Sequence, residues 1–255
     1  MLHKNEIPIL EYDDTVEALI HAKNLISPID IADRAVLCFF KEVFDEGVAS
    51  GRFKQIHELR SEAGPHPVYE TVVDGVRLAV VHPMLGGPYA AGFIEELAAL
   101  GVDKFIACGG AGVLDKTIRR GTIVVPDKAL RAEGTSYHYL PASRFVEIDP
   151  HAVAAIVETL RDAKIPHIVG TTWTTDAFYR ETREAIAERR REGCLTVEME
   201  CASFAAVARF RGLLFGQILS GGDDVSQDVW DSRAWTKDAM RRRIFELAAQ
   251  AAIRL

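Results

Sequence analysis

From about residue 68 to its C-terminal end the chain alternates strand-like and helix-like patterns, joined by short connections, and this constrains its fold most. Lys104–Cys108, Thr122–Pro126, Ile165–Thr172 and Leu213–Leu219 are short apolar, β-rich runs. Tyr89–Leu100, His151–Ala163, Thr182–Glu192, Glu200–Phe210 and Ala234–Ile253 have helical composition or period. In His151–Ala163, Val153, Ile156, Val157 and Leu160 form one apolar stripe, the spacing of a helix facing a core. Strands that read as continuous apolar runs are buried on both faces, so helices must cover both sides of their sheet. Asp74-Gly75 separates two β-branched runs, Val68–Val73 and Val76–His82, which is a strong short-range hairpin signal. A hairpin inside an otherwise crossover-connected chain makes the sheet mixed. The predicted fold is α/β, a single-domain three-layer αβα sandwich with a mixed central β-sheet over residues 1–255.

The first 34 residues carry the weakest periodicity and are the most peripheral part of this prediction. Thr15–Leu25 has the pattern of a short amphipathic helix, with Asp14 or Thr15 as its cap. Ala35–Phe40 reads as a buried strand. Phe44–Glu58, interrupted by Gly47 and Gly51, reads as a loop followed by a short helical piece.

Thirty basic against 37 acidic side chains leave a net charge of −7 over 255 residues. That balance argues against a broad nucleic-acid-binding surface, whose affinity rests on neutralising phosphates. It leaves room for one small anion held by a local cluster. No apolar run approaches the roughly 20 residues that span a bilayer, and MLHKNEIPILEYDD has no apolar secretory core. Cys38, Cys108, Cys194 and Cys201 form no CxxC pair and no Cys/His cluster at metal spacing, as expected of reduced thiols in a cytoplasmic protein that needs no metal or organic cofactor.

In sheets of this type ligands bind beyond the carboxyl ends of the strands. The segments after His82, Cys108, Thr172 and Leu219 therefore hold the candidate chemistry. Gly109-Gly110-Ala111-Gly112 is either a tight structural turn or a place where backbone N–H groups approach a ligand. It matches neither GxGxxG nor a Walker A motif. Glu198-Met199-Glu200 precedes an Ala-rich helix. Its acids either cap that helix or hold a polyhydroxyl ligand, with the methionine against the ligand's apolar face. Asp223-Asp224 is a solvated turn or a general acid. Two loops, Arg131–Pro141 and Thr174–Arg180, are dense in charge, hydroxyls and aromatic rings; Phe178 could stack on a planar base, and His138 could carry a proton.

Taken in order, the Cys108–Gly110 turn, TIVVP from Thr122, EGTSYHYLP from Glu133, TTDAFYRET from Thr174 and VEMECA from Val197 resemble the nucleoside phosphorylase family, in its purine nucleoside phosphorylase and uridine phosphorylase type. The resemblance covers roughly residues 76–225 and is nearest to a uridine phosphorylase-like branch. It implies reversible phosphorolysis of a purine or pyrimidine ribonucleoside to free base and ribose 1-phosphate. Glu200, Met199 and Glu198 match the ribose-binding motif. Phe178 matches the residue lining the base, with Arg180, Arg183, Gly109 and Gly110 beside it. Asp223, 23 positions after Glu200, matches the spacing of the purine branch's catalytic aspartate, and with Glu200 makes the catalytic pair. Gly86, Lys104, Ala107, Cys108 and Arg34 fall at the phosphate-binding positions.

There are departures from the family pattern. The N-terminal phosphate loop is reduced to Pro28, Asp30 and Arg34, Lys104 and Ala107 replace an arginine and a hydroxyl residue, and Gly222 stands where serine is usual. Thr182 and Glu184 occupy the pyrimidine-reading positions. These departures leave two alternatives beside phosphorolysis: a nucleosidase using water, and a weakened nucleoside- or nucleotide-binding protein. The resemblance further implies inorganic phosphate as co-substrate, a homo-oligomer (dimer-based, up to a hexamer), and no nucleic-acid or membrane partner.

Overall fold

The computed structural model describes residues 1–234 and 240–255. Its strands are β1 (Arg34–Cys38), β2 (Lys54–Ser61), β3 (Gly64–Val73), β4 (Val76–Val81), β5 (Lys104–Val113), β6 (Ile123–Ala132), β7 (Phe145–Glu147), β8 (His167–Thr175), β9 (Cys194–Glu198) and β10 (Leu214–Asp224). The helices are α1 (Ala22–Leu25), α2 (Lys41–Ala49), α3 (Gly87–Leu100), α4 (Pro150–Asp162), α5 (Arg183–Arg191), α6 (Cys201–Arg211) and α7 (Met240–Arg254). All ten strands join one mixed sheet in the order β10-β6-β8-β9-β5-β1-β4-β3-β2, with β7 on β6. This is the α/β architecture, with helices on both faces of a mixed sheet.

One source of the mixed order is the hairpin at Asp74-Gly75. Asp74 and Gly75 both take positive φ, 50° and 79°, and turn β3 back antiparallel onto β4. The central strands β4, β1, β5 and β10 run parallel. A further pairing of β10 with β5 closes β5, β10, β6, β8 and β9 into a circuit. Small residues make the closure possible. Near its tip β5 pairs with β9 through Gly112 and Val113, and a Cβ added at Gly112 would lie 3.0 Å from Val197.

Alternation along β1 divides the core. Ala35 and Leu37 join the apolar cluster under α3 and α6, with Phe93, Ile94, Leu97, Phe204 and Val207. Val36 and Cys38 join the opposite cluster under α4 and α7, with Ile156, Leu160, Ile244, Phe245 and Leu247. Helix α6 is buried from Cys201 through Ala208, because its alanines let the backbone approach the sheet closely; it ends at Gly212 in the left-handed conformation.

Several elements differ from the sequence reading. The run Thr15–Leu25 forms only the single turn α1, capped by the His21 side chain; Val16, Leu19 and Ile20 stay exposed, so no core pulls the stripe into a longer helix. Residues Phe44–Glu58 hold a helix first and a strand second: α2 tolerates Gly47 because the Phe53 ring packs where a Cβ would stand, and β2 then pairs with β3. The glycines after Cys108 do not form a turn, since β5 continues through them to Val113. β7 and β9 give too short a pattern to stand out alone. The first residues of the expected C-terminal helix, 235–239, lie outside the described residues. All four cysteines are buried thiols.

Candidate active site

The carboxyl ends of β4, β5, β8, β9 and β10 converge on one region, and Glu198 and Glu200 stand at its centre. Strand β9 ends on Glu198 and α6 begins at Cys201, so the two glutamates occupy the turn between a buried strand and a buried helix. They divide the two roles that the sequence left open. Glu198 does the capping: its Oε2 accepts the N–H groups of Glu200 (2.8 Å) and Cys201 (2.6 Å), and its Oε1 accepts the Thr174 hydroxyl (2.6 Å). Thr174 in turn accepts the N–H of Ala202 at 2.9 Å. Glu200 points the other way, and its Oε1 accepts the N–H of Gly86 at 2.7 Å.

Both carboxylates are nearly inaccessible, 7% and 5% exposed. Burial raises the pKa of each well above the ordinary carboxylate value; for Glu200 the charge of Glu198 adds to the rise, while the hydrogen bonds to Glu198 offset part of its own. A buried carboxylate that uses one oxygen on a single backbone N–H retains acceptor capacity, which suits neighbouring hydroxyl groups.

The EGTSYHYLP loop forms the wall behind this pair. Glu133 accepts the Ser136 hydroxyl, the Ser136 N–H (2.9 Å) and the Ser203 hydroxyl of α6 (2.7 Å). The Arg131 guanidinium is spent on Ser136, Ser143 and the carbonyls of Leu140 and Pro141, and lies 4.2 Å from the Tyr137 ring centroid. A Cβ at Gly87 would stand 2.5 Å from Ser203 Oγ and 2.8 Å from Thr135 Oγ1, so glycine lets the loop that carries Gly86 settle against α6. His138 is exposed.

Asp223 lies at the end of β10 rather than in a loop. Its carboxylate stands 3.6–3.7 Å from the Cβ position of Gly112 and accepts the Trp230 Nε1–H at 2.7 Å. Asp224 faces elsewhere and is bound by Arg233. Phe178 follows β8 on a short 3-10 turn, 50% exposed, with its ring centroid 4.2 Å from that of Tyr179. Arg180 is exposed, and Arg183 turns out to the Asp228 carbonyl at 3.0 Å.

The expected phosphate positions are not brought together. Gly86 lies at the Glu200 side and Gly110 is exposed on β5, but Arg34 and Lys104 pair with each other at the amino ends of β1 and β5. Four residues of strand, about 13 Å, separate Lys104 from Cys108. Lys104 binds Asp33 at 2.6 Å, and Arg34 binds Asp33 and the Ile253 carbonyl at the end of α7. Ala107 and Cys108 are fully buried, on opposite faces of the sheet. Against Gly109 lies the Phe39 ring, 3.2 Å from where a Cβ would stand. Arg34 and Lys104 begin their strands, whereas ligands of such sheets bind beyond the carboxyl ends. The reading also missed Thr174, Ser203 and Trp230. TTDAF and VEMEC gave a signal for the first two, whereas Trp230 lies in a stretch with no motif.

Among the described residues no group of His, Cys, Asp or Glu is placed to hold a metal ion, and no helix is long and apolar enough to cross a membrane.

A fold of this topology, with an acidic strand-to-helix turn facing a glycine-bearing loop, is that of the Phosphorylase superfamily, whose profile matches residues 33–254; the chain belongs to that family. Among its relatives, the guanosine phosphorylase of Halorubrum lacusprofundi is 32% identical over 161 residues, 63% of this chain and 67% of that protein. The uridine phosphorylase of Thermococcus kodakarensis is 30% identical over 155 residues, 56% of each chain. An uncharacterized protein of Acanthamoeba polyphaga mimivirus is 25% identical over a longer stretch, 81% of this chain and 84% of its own.

Proposed function

We propose that this protein is a nucleoside phosphorylase, catalysing reversible phosphorolysis of a ribonucleoside to free base and ribose 1-phosphate. The observation that carries the reading is the buried Glu200, anchored by one oxygen to the Gly86 N–H at the turn between β9 and α6. In that place it would hold the ribose hydroxyls, with Met199 against the sugar and Glu198 fixing the turn. Phe178 would stack on the base, beside Gly109 and Gly110. Asp223, at the end of β10, would act on the departing base. The guanosine and uridine phosphorylase relatives support the same class without choosing between purine and pyrimidine. Phosphorolysis needs phosphate as co-substrate. Gly86 and the exposed backbone of Gly110 are the expected contacts that remain near the site.

Physically, the glycosidic bond stretches towards an oxocarbenium-like sugar. Hydroxyls fixed on a buried carboxylate hold that sugar in line, and a group beside the base neutralises the charge it takes away. Release of base from a panel of purine and pyrimidine nucleosides, with and without phosphate, tests the proposal. Phosphate-dependent release from at least one nucleoside is expected. No release under either condition would sink it. Hydrolysis by water is a second reading, favoured by Arg34 and Lys104 lying at the amino ends of β1 and β5, and base release independent of phosphate would select it.

A further inference from the structure

The end of β10 is shaped around a carboxylate. Gly221 pairs with Ala111 and Asp224 with Val113, so Gly222 and Asp223 of β10 stand opposite the single residue Gly112 of β5. Such a two-against-one bulge bends a strand and re-aims its side chains. Here it turns Asp223 over Gly112, where an added Cβ would stand 3.6 and 3.7 Å from the two carboxylate oxygens. The same Cβ would meet Val197 at 3.0 Å, and Val197 directly precedes Glu198. Asp223 thus reaches the strand that leads into the glutamate turn. Beyond the bulge the chain folds back: Asp224 and Asp231 exchange both backbone hydrogen bonds, at 2.8 and 3.1 Å. Arg183 holds the intervening loop at the Asp228 carbonyl, and Arg233 fixes its base on Asp224 and the Ile118 carbonyl. That return brings Trp230 to Asp223, and its indole N–H donates to Oδ2 at 2.7 Å.

We infer that Trp230 is a positioning residue: its indole N–H fixes Oδ2 of Asp223, so that Oδ1, which has no hydrogen-bond partner among the described residues, meets the departing base. The inference rests on the phosphorolytic reading above and adds to it the group that orients the aspartate. The terminal torsion of an aspartate is broad, so one fixed oxygen decides where the other points. An indole suits the task because it only donates and cannot exchange roles with the carboxylate. The neighbouring Asp224 takes a guanidinium, whereas Asp223 meets a neutral donor that engages one oxygen. A guanidinium in that place could occupy both oxygens and leave none for a ligand. Core packing does not account for Trp230, which is 60% exposed beside Val229 at 78%. The hydrogen bond to Asp223 does.

The test is a double-mutant cycle on the full chain, with kcat and KM measured separately for the nucleoside turned over best. Trp230→Phe keeps a ring and removes the N–H. It lowers kcat about tenfold and leaves KM within about twofold, because the aspartate is present but misaimed. Asp223→Asn lowers kcat about 100-fold. In the Asp223→Asn background, Trp230→Phe changes kcat less than about twofold, since the group that it orients is already gone. The melting temperature of Trp230→Phe stays within about 2 °C of the unaltered protein, as befits an exposed side chain. Four results overturn the inference: an unchanged kcat in Trp230→Phe, a loss carried by KM alone, an unchanged kcat in Asp223→Asn, or effects that multiply in the double variant. A merely structural tryptophan would give the last of these. Absence of any nucleoside turnover by the unaltered protein would refute the phosphorylase reading itself, and this inference with it.

Discussion

Replacing Glu198 by alanine separates architecture from chemistry at this site. Its carboxylate satisfies three donors at once: the N–H groups of Glu200 and Cys201 and the hydroxyl of Thr174. All are buried, so water cannot take its place without opening the strand-to-helix turn. Leaving a buried donor unpaired costs about 1–3 kcal/mol, and losing a helix cap about 1 kcal/mol. Taking the low end for each donor, Glu198→Ala destabilises the fold by about 3 kcal/mol. For a chain of this size that is a fall in melting temperature of about 6–12 °C. Glu198→Gln keeps the shape and an acceptor for the backbone N–H groups, and its amide can donate to Thr174. It therefore costs about 1 kcal/mol or less. Thermal unfolding of the three proteins at one fixed concentration checks this, since any assembly makes the midpoint concentration-dependent. Equal destabilisation by Ala and Gln, or a shift below about 2 °C for Ala, would refute the assignment of Glu198 as the cap that holds the turn.

Other outcomes follow from the same geometry. Glu200→Gln should lower kcat/KM for ribonucleosides about tenfold or more, through weaker hydrogen bonds to the ribose, and should narrow the preference for ribo- over 2′-deoxyribonucleosides; steady-state kinetics on matched pairs reads both. Because burial raises Glu198 and Glu200 in the folded state, that state binds more protons than the unfolded one. The stability these two groups contribute is complete below the ordinary glutamate value and is lost as pH rises through their raised values. Denaturant titrations from pH 5 to 9 should show Glu200→Gln flattening that decline. Arg131→Lys should destabilise by about 2–3 kcal/mol, because an ammonium cannot reproduce the fork that holds Ser136, Ser143, Leu140 and Pro141; urea unfolding measures it. Lys104→Ala should leave the KM for phosphate within about twofold of the unaltered protein, since Lys104 is held by Asp33 at the amino end of β5, about 13 Å of strand from Cys108.

Periodicity and turn chemistry determine much of this protein at the level of sequence. Alternating elements require a sheet covered on both faces, and Asp74-Gly75 specifies an antiparallel return because both positions readily accept positive φ. VEMEC marks a strand-to-helix turn in which two acids must find partners. These features are local, and local spacing dictates them. Tertiary structure alone decides the order of the strands and which neighbours run parallel, and so sets Arg34 and Lys104 side by side at the amino ends of β1 and β5. It also decides that β5 continues through its glycines, since β9 and β10 arrive to pair with it. The same holds for the glutamates: either could have been the cap, and the positions of Thr174 and Gly86, from distant strands and loops, divide the roles.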